Sequence, residues 1–415
     1  MSSLEIAFWA CAALVVYPYA AYPVALALWA ALRPRPVRRG PFRPRAVSVV
    51  VCAHNEQPVI DRRLRDLADV LDAAGIPGEI ILVSDGSTDE TAAAARALGN
   101  RYVNVLELPG QVGKAAALSR GVQMARHAVV VLADARQTWA PEALARLLEN
   151  FADPQVGAVS GDLVLDGGPG VLGGVGLYWR YEKWLRRLES LVWSQVGVTG
   201  AICAVRRELF RPIPAGTLLD DVYWPLVVAM RGFRVVHDSR AVAYDRLPEY
   251  ARDEFRRKVR TLAGNLQLAC RLPGVLLPWR NPLWLPFLSH KLARLAAPWA
   301  LAGLLATSAA LGGGVYRAAL LAQVGCYALG LAGLLTRRGG RPAAAAASFV
   351  LLNAAAAVAF CVWASGRAGR SWLKASYDNA AGPVPASGSA PGTTPACVAS
   401  GDAAVRPGER APAIF

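Results

Sequence analysis

Two stretches decide the fold: ILVSDGSTD (81–89) and VVVLADAR (129–136), each an apolar run that ends abruptly in an aspartate. An apolar run without polar alternation reads as a strand buried on both faces. Residues 47–52 form another such run, and 79–84, 103–106 and 128–133 complete four predicted strands. Between them, Ile60, Leu64, Leu67 and Leu71 recur at helical spacing, and residues 91–98 and 117–125 read as further helices. This alternation predicts an α/β fold with an open, mainly parallel sheet covered on both faces. Ligands of such sheets bind beyond the carboxyl ends of the strands. His54, Asn55 and Glu56, then Asp85 and Asp89, then Asp134 all fall there. Each alone is an ordinary cap or turn residue; their convergence on one rim points to a charged ligand.

Residues 6–32 carry no charged side chain, and Arg33, Arg35, Arg38, Arg39, Arg43 and Arg45 follow at once. The apolar length crosses about 30 Å of hydrocarbon, and the arginines mark its cytoplasmic end. A cleaved signal peptide would carry its positive charge ahead of the apolar run. We therefore expect an anchor at 1–32 and a basic juxtamembrane linker at 33–45. Three more charge-free stretches, 295–316, 318–335 and 343–363, predict C-terminal transmembrane helices across 295–363, with Arg337, Arg338 and Arg341 in an inward loop. Segment 271–294 sets Trp279, Trp284 and Phe287 beside Arg280 and Lys291, suited either to the headgroup layer or to packing on the catalytic domain. The tail, 364–415, is rich in Ala, Gly, Pro and Ser and is expected to be mostly disordered.

The formal charge of +15 lies largely beside apolar spans and in the tail, which favours anionic lipid over nucleic acid as the partner. The seven cysteines show no CxxC pair and no zinc spacing. They suit buried positions in a reducing compartment. Together these features place a catalytic domain at 46–270 on the cytoplasmic side of a multi-pass protein, with the bacterial inner (plasma) membrane as its expected location.

No GxGxxG follows the first strand and no GxxxxGK[ST] occurs, which argues against dinucleotide and P-loop sites. The turn at 110–114 offers the Lys114 ammonium to a diphosphate, or is simply a surface lysine after a tight turn. Asp134 at a strand end suits a divalent ion bridging phosphates. Asp220 and Asp221 are adjacent at the start of a helix and point in different directions, so one faces the reaction centre while the other caps or pairs. Arg257 and Arg260 share a helix face that either clamps a departing diphosphate or touches lipid headgroups.

The ordered segments VVVCAHNEQ (49–57), ILVSDGSTDET (81–91), GQVGKAAALSRG (110–121), VVVLADARQ (129–137), TGAICAVRRELF (199–210), LLDDVYWPLVVAMRGFRV (218–235) and RRKVRTLAGN (256–265) together resemble the membrane-bound family 2 glycosyltransferases. That family includes the cellulose, hyaluronan and poly-N-acetylglucosamine synthases. The resemblance implies a GT-A fold, a nucleotide-diphospho-sugar donor, usually carrying uridine, and Mg²⁺ or Mn²⁺. It implies that Asp85 and Glu56 lie in the base and ribose pocket, that Asp134 is the first acid of the DxD metal motif, and that Asp221 is the base. Asp221 stands eleven residues before Gly232, as the family's base usually does.

Two departures stand out. The metal motif reads Asp134-Ala135-Arg136 and lacks its second acid, leaving Arg136 itself or Asp162 as candidate replacements; QxxRW becomes Arg257-Lys258-Val259-Arg260-Thr261. The implied function is an inverting transfer to a membrane-associated glycan or lipid-linked acceptor, with a processive polysaccharide synthase as the alternative. Envelope glycan assembly or export proteins are the implied partners. A third reading is a catalytically weak membrane scaffold; the retained Asp85, Asp134 and Asp221 oppose it.

Overall fold

A computed structural model describes residues 1–366 apart from 43, 167–172, 247–250 and 337–339. The expectations for Arg43, Arg337, Arg338 and the tail from 367 lie outside the described residues. In the order β3-β2-β1-β4-β7-β6-β8-β5, one sheet is formed by β1 (Val47–Ala53), β2 (Gly78–Asp85), β3 (Val103–Leu108), β4 (Val129–Asp134), β5 (Thr138–Trp139), β6 (Val156–Asp166), β7 (Cys203–Arg206) and β8 (Arg234–Arg246). The first four strands run parallel, with Ala53 opposite Ser84 and Cys52 opposite Asp134. That register brings the ends carrying His54, Asp85 and Asp134 to one rim. The remaining pairings are mixed: β7 is antiparallel to β4 and β6, whereas β8 is parallel to β6.

The helices are α1 (Ser3–Val16), α2 (Tyr22–Leu32), α3 (Gln57–Ala74), α4 (Thr91–Ala97), α5 (Lys114–Met124), α6 (Ala143–Glu149), α7 (Gly173–Val192), α8 (Asp220–Met230), α9 (Ala251–Arg271), α10 (Trp284–Pro286), α11 (Ala293–Leu311), α12 (Gly314–Thr336) and α13 (Gly340–Ala364). Successive strand residues point to opposite faces. Val47, Val49 and Val51 therefore join one core with Ile60, Leu64 and Leu144, while Val50 joins the other with Leu118, Leu226 and Phe287. Both faces are apolar, which is why the strands read as unbroken runs. Gly75, at φ 61°, ends α3 in the left-handed conformation that glycine adopts without steric cost.

Four helical runs are long and apolar enough to cross a membrane: Ser3–Leu32, Trp284–Leu311, Gly314–Leu335 and Pro342–Ala364. On α12, Leu321, Leu331 and Leu335 are left exposed, and lipid is the medium that covers such side chains without cost. The protein is thus a multi-pass membrane protein. The second run begins near Trp284, earlier than the charge-free stretch at 295–316 suggests, because its charges are met by protein. His290 contacts Glu189 at 2.7 Å and Glu182 at 2.8 Å, Arg294 pairs with Glu182, and the Tyr22 hydroxyl donates to Glu189 at 3.1 Å. This buried network ties α2 and the Trp284–Leu311 run to α7.

Val275, Leu283 and Phe287 are buried in the second core, so the segment before α11 packs on the catalytic domain, while Trp279 stays exposed. Part of the arginine linker is likewise strapped to protein. Arg39 reaches Asn150 at 3.1 Å and Asp238 at 3.4 Å, and Gly40 N–H donates to Glu149 O at 3.2 Å. Glu182→Ala would strand a buried guanidinium and imidazole and is expected to cost about 3–5 kcal/mol. Thermal unfolding in detergent against Glu182→Gln, which keeps an acceptor oxygen, measures it.

Candidate active site

At the carboxyl rim a cavity of about 610 Å³ is lined by Gln111–Lys114, Asp134, Gly200, Asp220, Asp221, Arg257 and Arg260, among others. Lys114 opens α5, placing its ammonium 2.6 Å from Asp134 Oδ1 and 3.9 Å from Asp220 Oδ2. Burial opposes that charge, but the two carboxylates raise the Lys114 pKa well above the usual lysine range. The site is tight: a Cβ on Gly200 would lie 3.1 Å from Asp134 Oδ2 and 3.2 Å from Lys114 Nζ. Asp220 is buried against Lys114, whereas Asp221 is partly exposed, and both line the cavity. Burial and the neighbouring Asp220 push the Asp221 carboxyl up to about 6, against the pull of Lys114. A carboxyl near that value is ionised at neutral pH and basic enough to take a hydroxyl proton.

Asp85 and Glu56 are not among the residues that line this cavity. Asp85 accepts from Val112 N–H at 2.7 Å and Gly113 N–H at 2.9 Å, so it holds the loop that delivers Lys114. Gly86 allows the close approach, since at φ 60° a Cβ there would overlap the backbone of Gly110 and Gln111. Asp85→Ala is expected to cost about 1–3 kcal/mol by orphaning two amides and to weaken donor affinity. A thermal-unfolding midpoint and a donor titration check both.

Asp162 is one of the two candidate replacements for the second metal acid. Its carboxylate is held by Lys183 at 2.8 Å, and it does not line the cavity. Arg136, the other candidate, is also absent from the cavity lining, and its guanidinium donates to Glu56 at 3.1 Å. Among the described residues no three His, Cys, Asp or Glu side chains converge on an ion position. One carboxylate plus substrate phosphates is nevertheless an ordinary Mg²⁺ site. Asp134 lines the cavity with its carboxylate paired to the Lys114 ammonium at 2.6 Å, and would hold a cation together with the donor's phosphates.

Gln137, Asp245, Tyr178, Trp179, Arg186 and Lys291 also line the cavity and were not anticipated from the sequence. Gln137 stands three residues beyond Asp134, the end of its strand, and that nearness was a usable signal. Asp245 lies at the end of β8, while the others come from α7 and the helical turn before α11, which lack strand-end character.

A parallel sheet with acids and a lysine at its carboxyl rim, extended by a mixed half, is the GT-A architecture of nucleotide-sugar transferases. The model of the family Glycosyl transferase family 2 matches residues 48–213, a stretch that includes Lys114 and Asp134 and ends before Asp221. The chain is 24% identical over 233 residues to poly-β-1,6-N-acetyl-D-glucosamine synthase of Staphylococcus aureus, covering 54% of this chain and 56% of that one. It is 22% identical over 232 residues to the synthase of the same name from Staphylococcus epidermidis. The chain therefore spans only about half the length of these curated relatives. Among solved structures, it resembles a mannosyltransferase from Pyrobaculum calidifontis in complex with GDP-mannose and Mn²⁺. The TM-score is 0.65 at 26% identity, over 88% of this chain and 99% of that one.

Proposed function

We propose that this protein moves a sugar from a nucleotide-diphospho-sugar to a glycan acceptor at the membrane, with inversion at the anomeric carbon. The observation that carries the reading is the joining of Lys114 and Asp134 to Asp221, Arg257 and Arg260 in one cavity. Lys114 meets the diphosphate, and Arg257 and Arg260 offset the charge that grows on the leaving phosphate. Asp221 takes the proton of the attacking acceptor hydroxyl, so no covalent glycosyl-enzyme intermediate is needed. Mg²⁺ or Mn²⁺, bound through Asp134 and the donor phosphates, would supply further neutralisation of the leaving group.

Uridine is the base the sequence resemblance implies, while the solved mannosyltransferase holds a guanosine donor, so both belong in a screen. Purified protein should be stabilised by the cognate nucleotide-sugar, and more so with Mn²⁺, since ligands selective for the native state raise the unfolding temperature. No shift and no hydrolysis with any nucleotide-sugar would favour the scaffold reading. The curated relatives are polymer synthases, which favours repeated addition to a growing glycan over single transfer to a lipid-linked acceptor. Product length with labelled donor separates them: a ladder supports the synthase, a single addition the other. The catalytic domain on this reading faces the cytoplasm of a bacterial plasma membrane, where the donor is made. Envelope assembly or export proteins would receive the product.

A further inference from the structure

A second cavity, of about 850 Å³, lies at the other end of the sheet. Ala46, just ahead of β1, Val129, the first residue of β4, and Arg206, the last of the antiparallel β7, all line it, which places it at the amino edge. Asp134 ends the strand that Val129 begins, so the length of β4, about 17 Å at 3.3 Å per residue, separates the two cavities. Three segments far apart in sequence, 42–46, 119–129 and 206–212, converge to build this second one.

Its charge is one-sided. Arg45, Arg126, Arg206, Arg207 and Arg211 line it against the single carboxylate of Glu208. Arg206 donates to the carbonyls of Val156 at 2.9 Å and Phe151 at 3.0 Å, and Arg207 to that of Ala125 at 2.7 Å. These neutral acceptors fix the guanidinium groups without cancelling their charge. Arg126 reaches Glu79 only at 3.9 Å, and among the described residues Arg45 and Arg211 form no ion pair and stand exposed. Like charges gathered around a hollow repel one another, and a bound polyanion relieves them. A basic face that served solubility alone would gain nothing from such convergence.

We propose that this cavity binds a small soluble anion carrying two or more phosphate groups. Guanidinium forks match phosphate oxygens in bidentate pairs, and five of them exceed the roughly two charges that one phosphate carries. The volume suits a small-molecule site. Anionic lipid does not fit, because no residue of the four membrane runs lines this cavity, whereas Lys291, near the start of one of them, lines the cavity at the opposite rim. The acidic rim is thus the one beside the bilayer, and the basic edge faces away from it. Such a site is independent of the transfer reaction, so failure of either leaves the other standing.

The probe is inorganic tripolyphosphate, titrated by calorimetry at low salt with EDTA into the full chain in detergent. Arg45→Glu/Arg211→Glu should weaken binding by about tenfold or more, since each charged hydrogen bond contributes that scale, while a site of wild-type affinity should remain in Lys114→Gln. Arg45→Gln/Arg211→Gln removes the charges without adding any; it should weaken binding less, and it is the check should the reversal disturb folding. Affinity should be the same in nanodiscs of phosphatidylglycerol and of phosphatidylcholine. Undetectable binding to the wild type, or unchanged affinity in both double variants, would overturn the proposal. So would loss of all binding in Lys114→Gln, which would assign the anion to the active site, and affinity no greater than that for citrate, which would reveal an unselective basic surface. Displacement by phosphatidylglycerol would make the occupant a lipid headgroup and overturn it equally.

Discussion

Asp221→Asn should lower transfer by about 10²–10⁴-fold, the usual contribution of a positioned general base, while the donor still raises the unfolding temperature. The amide keeps the size and polarity of the side chain and removes only its ability to take a proton. In the wild-type enzyme the Asp221 carboxyl sits at about 6, pushed up by burial and by Asp220. Below that pH it is protonated, so kcat/KM should fall about tenfold for each further unit of acid. The same shift has a consequence for stability of opposite sign.

An ordinary aspartate titrates at 3.8, so between that value and about 6 the folded protein holds a proton that the unfolded chain has released. The raised group thus contributes its full stabilisation below pH 3.8, and this is lost as pH rises through about 6. The neutral amide escapes that loss. Asp221→Asn should therefore be more stable than wild type at pH 7.5, on the order of 1–3 kcal/mol, with no advantage at pH 4. Unfolding curves at the two pH values and a pH–rate profile measure the pair of effects. Undiminished turnover in Asp221→Asn would remove it as the base and turn attention to Asp220.

Lys114→Gln is expected to lower kcat/KM by about 10²–10³-fold, the scale seen when one preorganised electrostatic donor is lost. Lys114 is the cation between Asp134 at 2.6 Å and Asp220 at 3.9 Å, and it also lowers the Asp221 pKa. Its loss leaves three carboxylates crowded at one rim without that counter-charge, so Asp221 holds its proton more tightly. The acid limb of the pH–rate profile should accordingly move to higher pH. An acid limb that stays in place would show that Lys114 and Asp221 do not communicate, and would sever the link between donor and acceptor halves of the cavity.

The amino-acid sequence alone determined the parallel half of the sheet, the rim bearing Asp85 and Asp134, and the membrane character of the chain. Strands buried on both faces must be apolar throughout, and acids at their ends interrupt that pattern visibly. The mixed half was not legible. Strand β7 has four residues and β5 two, too short for periodicity, and β6 and β8 carry Ser160, Asp162, His237 and Asp238 within the strand. The start of the Trp284–Leu311 run was hidden because His290, Lys291 and Arg294 break the hydropathy, and only the acidic partners of His290 and Arg294 on α7 make those two tolerable in a buried setting.

The site divided along the same line. Local motifs pointed to Lys114, Asp134 and Asp221, which lie at strand ends and helix starts. Only tertiary structure decided that Arg136 belongs to Glu56 and Asp162 to Lys183, and that Tyr178 and Trp179 stand in the same cavity as Asp221. A side chain's partner across the chain depends on how the layers pack, and no spacing along the sequence encodes that distance.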